Sequence, residues 1–222
     1  MILAEKHLKI PSLEEDVRKL TIGDVVYLTG RMHTMRDMGH RRALDILNRG
    51  EKLPFSINEG CIWHCGPIAR KENNEWKFLS AGPTSSSRFT ELGAELIRRL
   101  KVRFTVGKGT MGKSTVDAMK DVGAVYLIAT GGCAAVYAKK ILNIDTVYWL
   151  DLGMPEATWV VNAKEFGPLV VGIDSKGNSL ANNLIKEIQK NAPKIFDDLG
   201  IDYKRRYVWW PKKTVGSEEV YK

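Results

Sequence analysis

The sequence has little of what several protein classes need. It contains three cysteines in 222 residues, an odd number that excludes a complete disulfide framework and fits a reducing compartment. No apolar run reaches the roughly 18 to 20 residues that a membrane-spanning helix needs. The first residues also lack the apolar stretch and small-residue cleavage site of a secretory signal. We therefore expect a cytoplasmic protein without a membrane partner.

What is present is apolar mass and positive charge. Apolar residues make up 44% of the chain, enough for a real core, and 34 Lys and Arg against 26 Asp and Glu give a formal charge of +8. Such a surplus suits nucleic acid, a membrane surface or small anionic substrates. We predict one α/β domain over residues 1–200 and a basic aromatic tail over residues 201–222. The tail is interpreted as a segment that docks its aromatic side chains, with nucleic-acid binding as the less favoured alternative.

The order of predicted elements supports this fold class. Ser12-x-x-Glu15 has the pattern of a capping box and predicts a helix through Leu20. After residue 89, helices and β-like runs alternate, which favours a parallel α/β layer. The predicted helices cover residues 12–20, 36–48, 89–101 and 180–199, with others from 114 and 133; the predicted strands cover 25–28, 61–63, 76–79, 103–106, 124–130, 146–150, 158–161 and 169–173. We expect Pro193 to kink or split the last helix.

Residues 107–114, GKGTMGKS, match the phosphate-loop pattern G-x-x-x-x-G-K-[ST] between a predicted strand and a predicted helix. In that hypothesis Lys113 would neutralise a phosphate, Ser114 would hold Mg²⁺, and Asp151 could supply the magnesium-directing acid. The pattern has four free positions and leaves half of the chain without a role. A phosphate-loop nucleotide-binding protein is therefore kept as an alternative.

Two other segments suggest an anion site. The first, residues 82–88, is a run of hydroxyl residues followed by Arg88, whose guanidinium can form a bidentate contact with a carboxylate. If this turn is helical, Thr84 and Arg88 share one face, although a helix cap with a surface arginine would explain the same pattern. In the second, Arg36 opens a predicted helix, where a cation opposes the helix dipole and so suggests a ligand. Asp37 and His40 are given structural roles.

Eight segments, in this order, resemble the β subunit of the iron–sulfur class I fumarase and L-tartrate dehydratase family. They are LTIGDVVYLTG, TMRDMGHRR, GEKLPF, GPTSSSR, VGKGTMGK, GAVYLIATGGCAAVYAKKI, DLGMPEATW and VVGIDSKGN, within residues 10–180. The resemblance implies a swivelling β/β/α-type three-layer domain. It also implies a hydro-lyase, with hydration of fumarate to malate as the first activity and L-tartrate dehydration as the second.

The resemblance further implies a site. Enzymes of this family bind substrate to the open iron of a 4Fe–4S cluster and remove a weakly acidic proton beside a carboxylate. Arg36, Arg88 and Lys108 fall where the family binds the carboxylates and hydroxyl of its substrate, and Thr84 falls where it places the proton-transferring hydroxyl. Preorganised cations would stabilise the doubly charged intermediate, and Thr84 would need an activating neighbour. Ser87 replaces a glycine that is common in the family, and the basic tail has no match there.

The cysteines are not expected to hold the cluster. On one strand, Cys61 and Cys65 would lie roughly 13 Å apart at about 3.3 Å per residue, too far for one cubane. We expect core or small-residue roles for both and for Cys133. The cluster is expected on a separate α subunit, in an assembly containing either a homodimer of this chain or two copies of each subunit.

Overall fold

The computed structural model describes residues 5–202 together with the residue pairs 214–215 and 218–219. The chain divides into two compact units, residues 1–181 and residues 182–222, and each is described by itself. Most of the predicted tail lies outside the described residues, and its boundary at residue 200 stays a prediction. In the described part of the chain, no helix combines the length and apolar character that crossing a bilayer requires.

The first unit alternates strands and helices along most of its length. Its strands are β1 (Glu5–Ile10), β2 (Val25–Thr34), β3 (Cys61–Trp63), β4 (Ile68–Glu72), β5 (Glu75–Ser80), β6 (Phe104–Gly107), β7 (Val125–Ile128), β8 (Ile141–Tyr148) and β9 (Thr158–Ile173). Its helices are α1 (Glu14–Val17), α2 (Asp37–Asn48), α3 (Thr90–Leu100), α4 (Lys113–Val122) and α5 (Ala134–Ala138), with 3₁₀ turns at Ser86–Phe89 and Leu150–Leu152.

The main sheet closes on itself. Its seven strands lie in the order β1-β2-β3-β6-β7-β9-β8, and an additional pairing of β2 with β9 joins five of them into a barrel-like ring. Strands β1, β2, β3, β6 and β7 are parallel to their neighbours in that run. Strand β9 is antiparallel to β2, β7 and β8. The predicted parallel layer is therefore present, within a mixed α/β architecture.

Alternation along the strands separates two cores. In β6, Phe104 and Val106 belong to one buried cluster, which fills the ring, and Thr105 between them points to the other side. In β7, Val125 and Leu127 belong to the same cluster, whereas Tyr126 belongs to a second cluster with apolar residues of α2, α3 and α4. Helices thus cover the outer face of the parallel strands, which explains why these strands are apolar on both faces.

Two expectations about local structure were wrong. Helix α1 begins at Glu14 with Leu13 at its N-cap, because the Ser12 hydroxyl donates to the Lys9 carbonyl and does not cap the helix. The two β-like runs at residues 158–161 and 169–173 are parts of one strand, β9, since long pairing with β2 carries the chain across Gly167 and Pro168. A register irregularity in that pairing absorbs the interruption in the pattern.

Helix α6 (Leu180–Asp198) begins at the end of the first unit and continues into the second. It runs through Pro193 as one helix, so the predicted split does not occur. In the second unit, β10 (Thr214–Val215) and β11 (Glu218–Glu219) form an antiparallel pair.

Candidate active site

The predicted site residues lie at one edge of the sheet. Strands β2, β3, β6 and β7 are neighbours and parallel, so their carboxyl ends meet at the same edge. Arg36 follows β2 by two residues and Lys108 directly follows β6. In open parallel sheets the carboxyl edge is where loops and helix starts form ligand sites. The edge of this ring therefore combines cations with the local geometry of an anion site.

Arg36 is held between two loops at this edge. Its Nε lies 3.3 Å from Oε1 of Glu156, and the other oxygen of Glu156 accepts a hydrogen bond of 2.9 Å from the Met38 amide. Glu156 thus offsets the cation at the start of α2 and caps the same helix. A Cβ at Gly66 would collide with the Arg36 guanidinium and would lie 2.8 Å from the Pro155 carbonyl oxygen. Gly66 therefore leaves the room in which the Arg36 side chain lies.

Arg88 is brought to Arg36 through Asp37. Its Nη2 donates a hydrogen bond to Oδ2 of Asp37, the residue next to Arg36, and its guanidinium lies 5.4 Å from the ring centroid of Phe89. The Arg88 side chain is 46% exposed, so the guanidinium stays accessible from outside while Asp37 sets its direction. Two of the three predicted cations are therefore adjacent at the start of α2.

Thr84 and Lys108 are joined by their backbones. The Lys108 amide donates to the Thr84 carbonyl at 3.2 Å, and the Ser86 amide donates to the Lys108 carbonyl at 3.0 Å. The Thr84 amide in turn donates to the His64 carbonyl at 2.7 Å. Thr84 thus lies in an extended segment beside the ends of β3 and β6. The condition for Thr84 and Arg88 to share a helical face is not met, because only Ser86–Phe89 forms a 3₁₀ turn and Thr84 precedes it.

Of the three cations in the predicted site, Lys108 has the fewest partners for its charged group within the described residues. Its side chain is half-buried, and a Cβ at Gly131 would lie 3.6 Å from its Cδ, so its stem passes beside the loop after β7. Within residues 5–202, neither the Lys108 ammonium nor the Thr84 hydroxyl makes a hydrogen bond or ion pair. A partly buried cation without a partner favours binding of an anion, because the anion repays its desolvation.

Behind this edge lies a layer of buried polar side chains. His40, His64, Ser86 and Tyr126 are all fully buried. Burial lowers the pKa of His40 to about 4 and holds the pKa of His64 well below its ordinary value, with His40 adding to the effect on His64. Both histidines are therefore neutral at pH 7, and His40 stacks on Phe89 at 4.9 Å between ring centroids.

Two of the three cysteines, Cys61 and Cys65, do not fit the ligands of an iron–sulfur cluster. Cys61 and Cys65 are fully buried among the apolar residues inside the ring, and burial raises the pKa of both thiols. Cys133 lies at the N-cap of α5, partly buried against the same core. Within residues 5–202 no three His, Cys, Asp or Glu side chains are grouped so that they could hold a metal ion. Burial with thiols kept protonated supports core roles for Cys61 and Cys65.

The phosphate-loop pattern has other partners in the structure. The Gly112 amide, which would face a phosphate, donates to Oγ1 of Thr90 at 3.0 Å. The Ser114 hydroxyl donates to a carboxylate oxygen of Glu91 at 2.7 Å, and the Lys113 ammonium pairs with Asp117 one turn on. The Ser114 hydroxyl, the proposed magnesium ligand, is thus bonded to Glu91, and the Gly112 amide is bonded to Thr90. These contacts favour a structural role for the loop.

Several residues that build the site were missed by the sequence analysis. Glu156 was quoted only as part of a motif, although it contacts Arg36, and Asp37 was given a local role, although it contacts Arg88. His64 and Ser86 were not singled out at all. Their contacts join positions far apart in the chain, and no local pattern reports them. The burial of His40, in the charged segment RDMGHRR, and of His64, in CIWHC, is a signal only once the fold is known.

The fold and this edge define a mixed α/β domain that presents arginine and lysine side chains at the carboxyl ends of its parallel strands. The chain belongs to the family described as Fumarase C-terminus, whose model matches residues 4–184. This confirms the resemblance drawn from the eight segments.

Individual relatives agree with this assignment. The chain is 41% identical over 186 residues to the L(+)-tartrate dehydratase subunit beta of Escherichia coli K12, which covers 84% of this chain and 89% of the relative. It is 45% identical over 176 residues to a protein of Methanocaldococcus jannaschii provisionally given the same name, with 79% and 90% covered. It is 39% identical over 180 residues to a protein of Geobacillus stearothermophilus provisionally named fumarate hydratase class I, covering 81% of this chain and 34% of that one.

Proposed function

We propose that this chain is the β subunit of a two-subunit iron–sulfur hydro-lyase that acts on a four-carbon dicarboxylate. Hydration of fumarate to malate is the first candidate activity. Dehydration of L-tartrate is the second, and it is favoured by the names of the relatives whose length this chain matches. In this proposal the chain supplies substrate-binding cations and a proton-transferring hydroxyl, and turnover requires the α subunit.

One observation carries the proposal: Arg36, Arg88, Lys108 and Thr84 converge on one edge of the ring through specific contacts. Arg88 donates a hydrogen bond to Asp37, the residue that follows Arg36, and the Lys108 amide donates to the Thr84 carbonyl. A dicarboxylate needs cationic partners at both ends, and arginine provides bidentate contacts where lysine provides a point charge. The four residues come from three loops, so their convergence is a property of the fold.

Each residue has a distinct task in this proposal. Arg36, Arg88 and Lys108 bind the carboxylate and hydroxyl groups of the substrate, and the same cations offset the negative charge of the intermediate that forms when the proton leaves the carbon beside a carboxylate. The Thr84 hydroxyl carries the proton to or from that carbon. A threonine hydroxyl is a weak base by itself, so the group that activates it is proposed to come from the α subunit.

The cluster is assigned to the α subunit. The family's 4Fe–4S cluster requires cysteine thiolates, and the buried, protonated thiols of Cys61 and Cys65 do not fit that role. No step of the proposal is therefore drawn through a cluster held by this chain. The assembly is proposed to contain a homodimer of this chain or two copies of each subunit.

We also propose that the architecture is the swivelling β/β/α type. Supporting this, helices α2, α3 and α4 pack on one face of the parallel strands, and the apolar interior of the ring lies on the other face. An experimental structure of the chain with its partner tests the layer order.

The decisive experiment is an anaerobic assay of this chain alone and after co-expression with a cluster-bearing α subunit and iron reconstitution. Fumarate hydration and L-tartrate dehydration are measured side by side. Activity in the mixture and in neither subunit alone is the expected result, and the better substrate decides between the two candidates. Inactivity of the mixture with fumarate, tartrate and related diacids, with the cluster intact by its spectrum, would contradict the proposal. Magnesium-dependent ATP or GTP binding by calorimetry would then test the phosphate-loop alternative.

A further inference from the structure

Four fully buried polar side chains form two hydrogen-bonded groups behind the proposed proton-transferring residue. The first group is Tyr126 on β7, Ser86 in the 3₁₀ turn and His64 after β3, and the second is His40 on α2 with the Arg36 carbonyl. Tyr126 Oη lies 3.0 Å from Ser86 Oγ, and Ser86 Oγ lies 2.8 Å from His64 Nδ1. His40 Nδ1 lies 2.8 Å from the Arg36 carbonyl oxygen.

The direction of these hydrogen bonds can be derived from the groups that meet. The Arg36 carbonyl can only accept, so neutral His40 carries its proton on Nδ1 and leaves Nε2 as an acceptor. Within the described residues, Ser86 Oγ is the one partner of the Tyr126 hydroxyl, and burial raises the pKa of that phenol. Tyr126 therefore donates to Ser86, because the opposite direction would bury a phenol hydrogen without an acceptor.

The remaining directions follow from this one. The Ser86 hydroxyl accepts from Tyr126, and its own hydrogen has one possible acceptor among the described residues, His64 Nδ1. Ser86 therefore donates to His64. Neutral His64 must then carry its proton on Nε2. The Nε2 atoms of His40 and His64 are both buried without another partner, and the two ring centroids are 5.3 Å apart. The rings make no direct hydrogen bond, but one offers a donor and the other an acceptor, so one trapped water between them would satisfy both atoms and join the two groups.

His64 connects these buried hydrogen bonds to the proposed site. The His64 carbonyl accepts the Thr84 amide, and the His64 ring accepts the Ser86 hydroxyl, so His64 holds the segment on both sides of residue 85. Gly107 leaves the necessary space, because a Cβ there would collide with Ser86 Oγ and would lie 3.2 Å from His64 Nδ1. At the other end of the proposed hydrogen-bond chain, His40 donates to the carbonyl of Arg36, a proposed substrate-binding residue.

We propose that Tyr126, Ser86, His64 and His40 are positioning residues, which form one ordered hydrogen-bond chain that holds Thr84 in register with Lys108 and Arg36. None of the four touches substrate in this proposal. The proposal rests on the hydro-lyase function for its catalytic consequence, whereas the order of the hydrogen bonds is independent of any activity. Buried networks of this kind are rigid when every member is satisfied, and rigidity is what a proton-transfer geometry requires.

The first test reads the histidine tautomers by nitrogen NMR of the full chain with ¹⁵N-labelled histidine. The sequence contains four histidines, so each ring can be assigned by single substitution. We expect the Nδ1–H tautomer for His40 and the Nε2–H tautomer for His64 at pH 7. Ser86→Ala should shift the His64 ring signals, and the control Thr115→Val should not. The control removes a fully buried hydroxyl that donates to the Thr90 carbonyl, outside the chain. An Nδ1–H tautomer for His64, or unchanged signals in Ser86→Ala, would overturn the order.

The second test measures turnover of the assembled enzyme. A reacting group displaced by about 1 Å can lose about 100-fold in rate, so Ser86→Ala should lower kcat by about 100-fold with little change in KM. Tyr126→Phe should give a smaller loss, since Ser86 can still donate to His64, and Thr115→Val should stay within about twofold of the native kcat. A native kcat in a folded Ser86→Ala enzyme would overturn the positioning role. An inactive native assembly with the expected tautomers would instead count against the hydro-lyase function alone.

Discussion

Strand β6 carries a cation at each end, and the surroundings of the two differ. Before the strand, the Arg103 side chain is 4% exposed and contacts Glu14, Glu59 and the Val122 carbonyl. After the strand, Lys108 is half-buried, and its ammonium has no ion pair or hydrogen bond within residues 5–202. The same short strand thus joins a cation paired with two carboxylates to one without an ion pair in the described part of the chain.

The difference separates a structural edge from a candidate site. At the amino edge, removing the cation would leave the Glu59 carboxylate and the Val122 carbonyl without this partner and Glu14 with Arg18 alone, so Arg103 stabilises the fold. At the carboxyl edge, no hydrogen bond or ion pair within residues 5–202 offsets the partial desolvation of the Lys108 ammonium. The two cations therefore differ both in burial and in the partners that the described part of the chain supplies.

The largest expected effect concerns the proposed proton transfer. Thr84→Ala should lower kcat of the assembled enzyme by about 10³-fold, in the range lost when an acid–base group is removed. Urea unfolding should be unchanged, because the half-buried hydroxyl makes no hydrogen bond in the described part of the chain. Ser85→Ala, at the exposed neighbouring hydroxyl, is the control and should keep native kinetics. Native turnover by Thr84→Ala would remove this residue from the mechanism.

The second effect tests the structural edge. Arg103→Met should lower the free energy of unfolding by about 3 kcal/mol, since Glu14 and Glu59 lose a buried partner but remain partly exposed. Equilibrium urea denaturation measures the change. Lys108→Met should differ from the native chain by less than about 0.5 kcal/mol in the same experiment. Equal decreases in the free energy of unfolding of the two variants would show that Arg103 and Lys108 do not differ in their contribution to stability.

The third effect is a loss of stability in acid. Burial is the main cause that lowers the pKa of His33 and of His40 to about 4, so both are neutral in the folded chain and become protonated more readily when unfolded. Between pH 6.5 and pH 4 the unfolded state binds more protons, and stability falls as the pH falls. Each histidine should lower the free energy of unfolding by about 2 kcal/mol at pH 5 relative to pH 7. Urea curves at pH 7 and pH 5 measure this, and His33→Asn should reduce the difference; identical pH dependence in that variant would contradict the assignment.

The fourth effect tests the candidate site. Lys108→Met should raise KM by about tenfold in the assembled enzyme, the effect of losing one charge-assisted contact. Raising the salt concentration should weaken substrate binding less in the variant than in the native enzyme, because the variant has lost a charge. Unchanged KM and unchanged salt dependence would show that the ammonium does not face the substrate.

The smallest effect concerns the support of Arg36. Glu156→Gln keeps an oxygen that can accept the Met38 amide but removes the charge beside Arg36. KM should rise by about threefold, and stability should fall by less than about 1 kcal/mol, because the pair is only partly buried. Glu75→Gln, at an exposed strand position distant in the chain, is the control. A tenfold loss of kcat in Glu156→Gln would instead indicate direct contact with the reacting groups.

Local elements were predictable wherever a short range of sequence decides them. The helix predicted from residue 36 and the stop at Gly50 agree with α2, whose chain leaves the helix through Gly50 at a φ of 74°. Strand β9 was not predictable as one element, because its continuity depends on pairing with β2, β7 and β8. Pairing across the ring is a long-range property that no window of sequence contains.

The candidate site also combines features that short motifs indicate with contacts that depend on the fold. The resemblance singled out Arg36, Thr84, Arg88 and Lys108 from motifs that are each a few residues long. Their supporting contacts join residues 118 apart for Met38 and Glu156, 51 apart for Arg88 and Asp37, and 22 apart for His64 and Ser86. Contacts of that span appear only when the strands lie side by side.

The sequence by itself determined which residues carry charge and hydroxyl groups, where alternation buries a strand, and to which family the motifs point. The tertiary structure alone decided which of those groups have partners. The fold places Arg103 against carboxylates and, among the described residues, gives Lys108 none, and it places the Ser86 hydroxyl in the space beside Gly107. The physical reason is that the free energy of a buried polar group depends on the atoms around it, and those atoms come from distant parts of the chain.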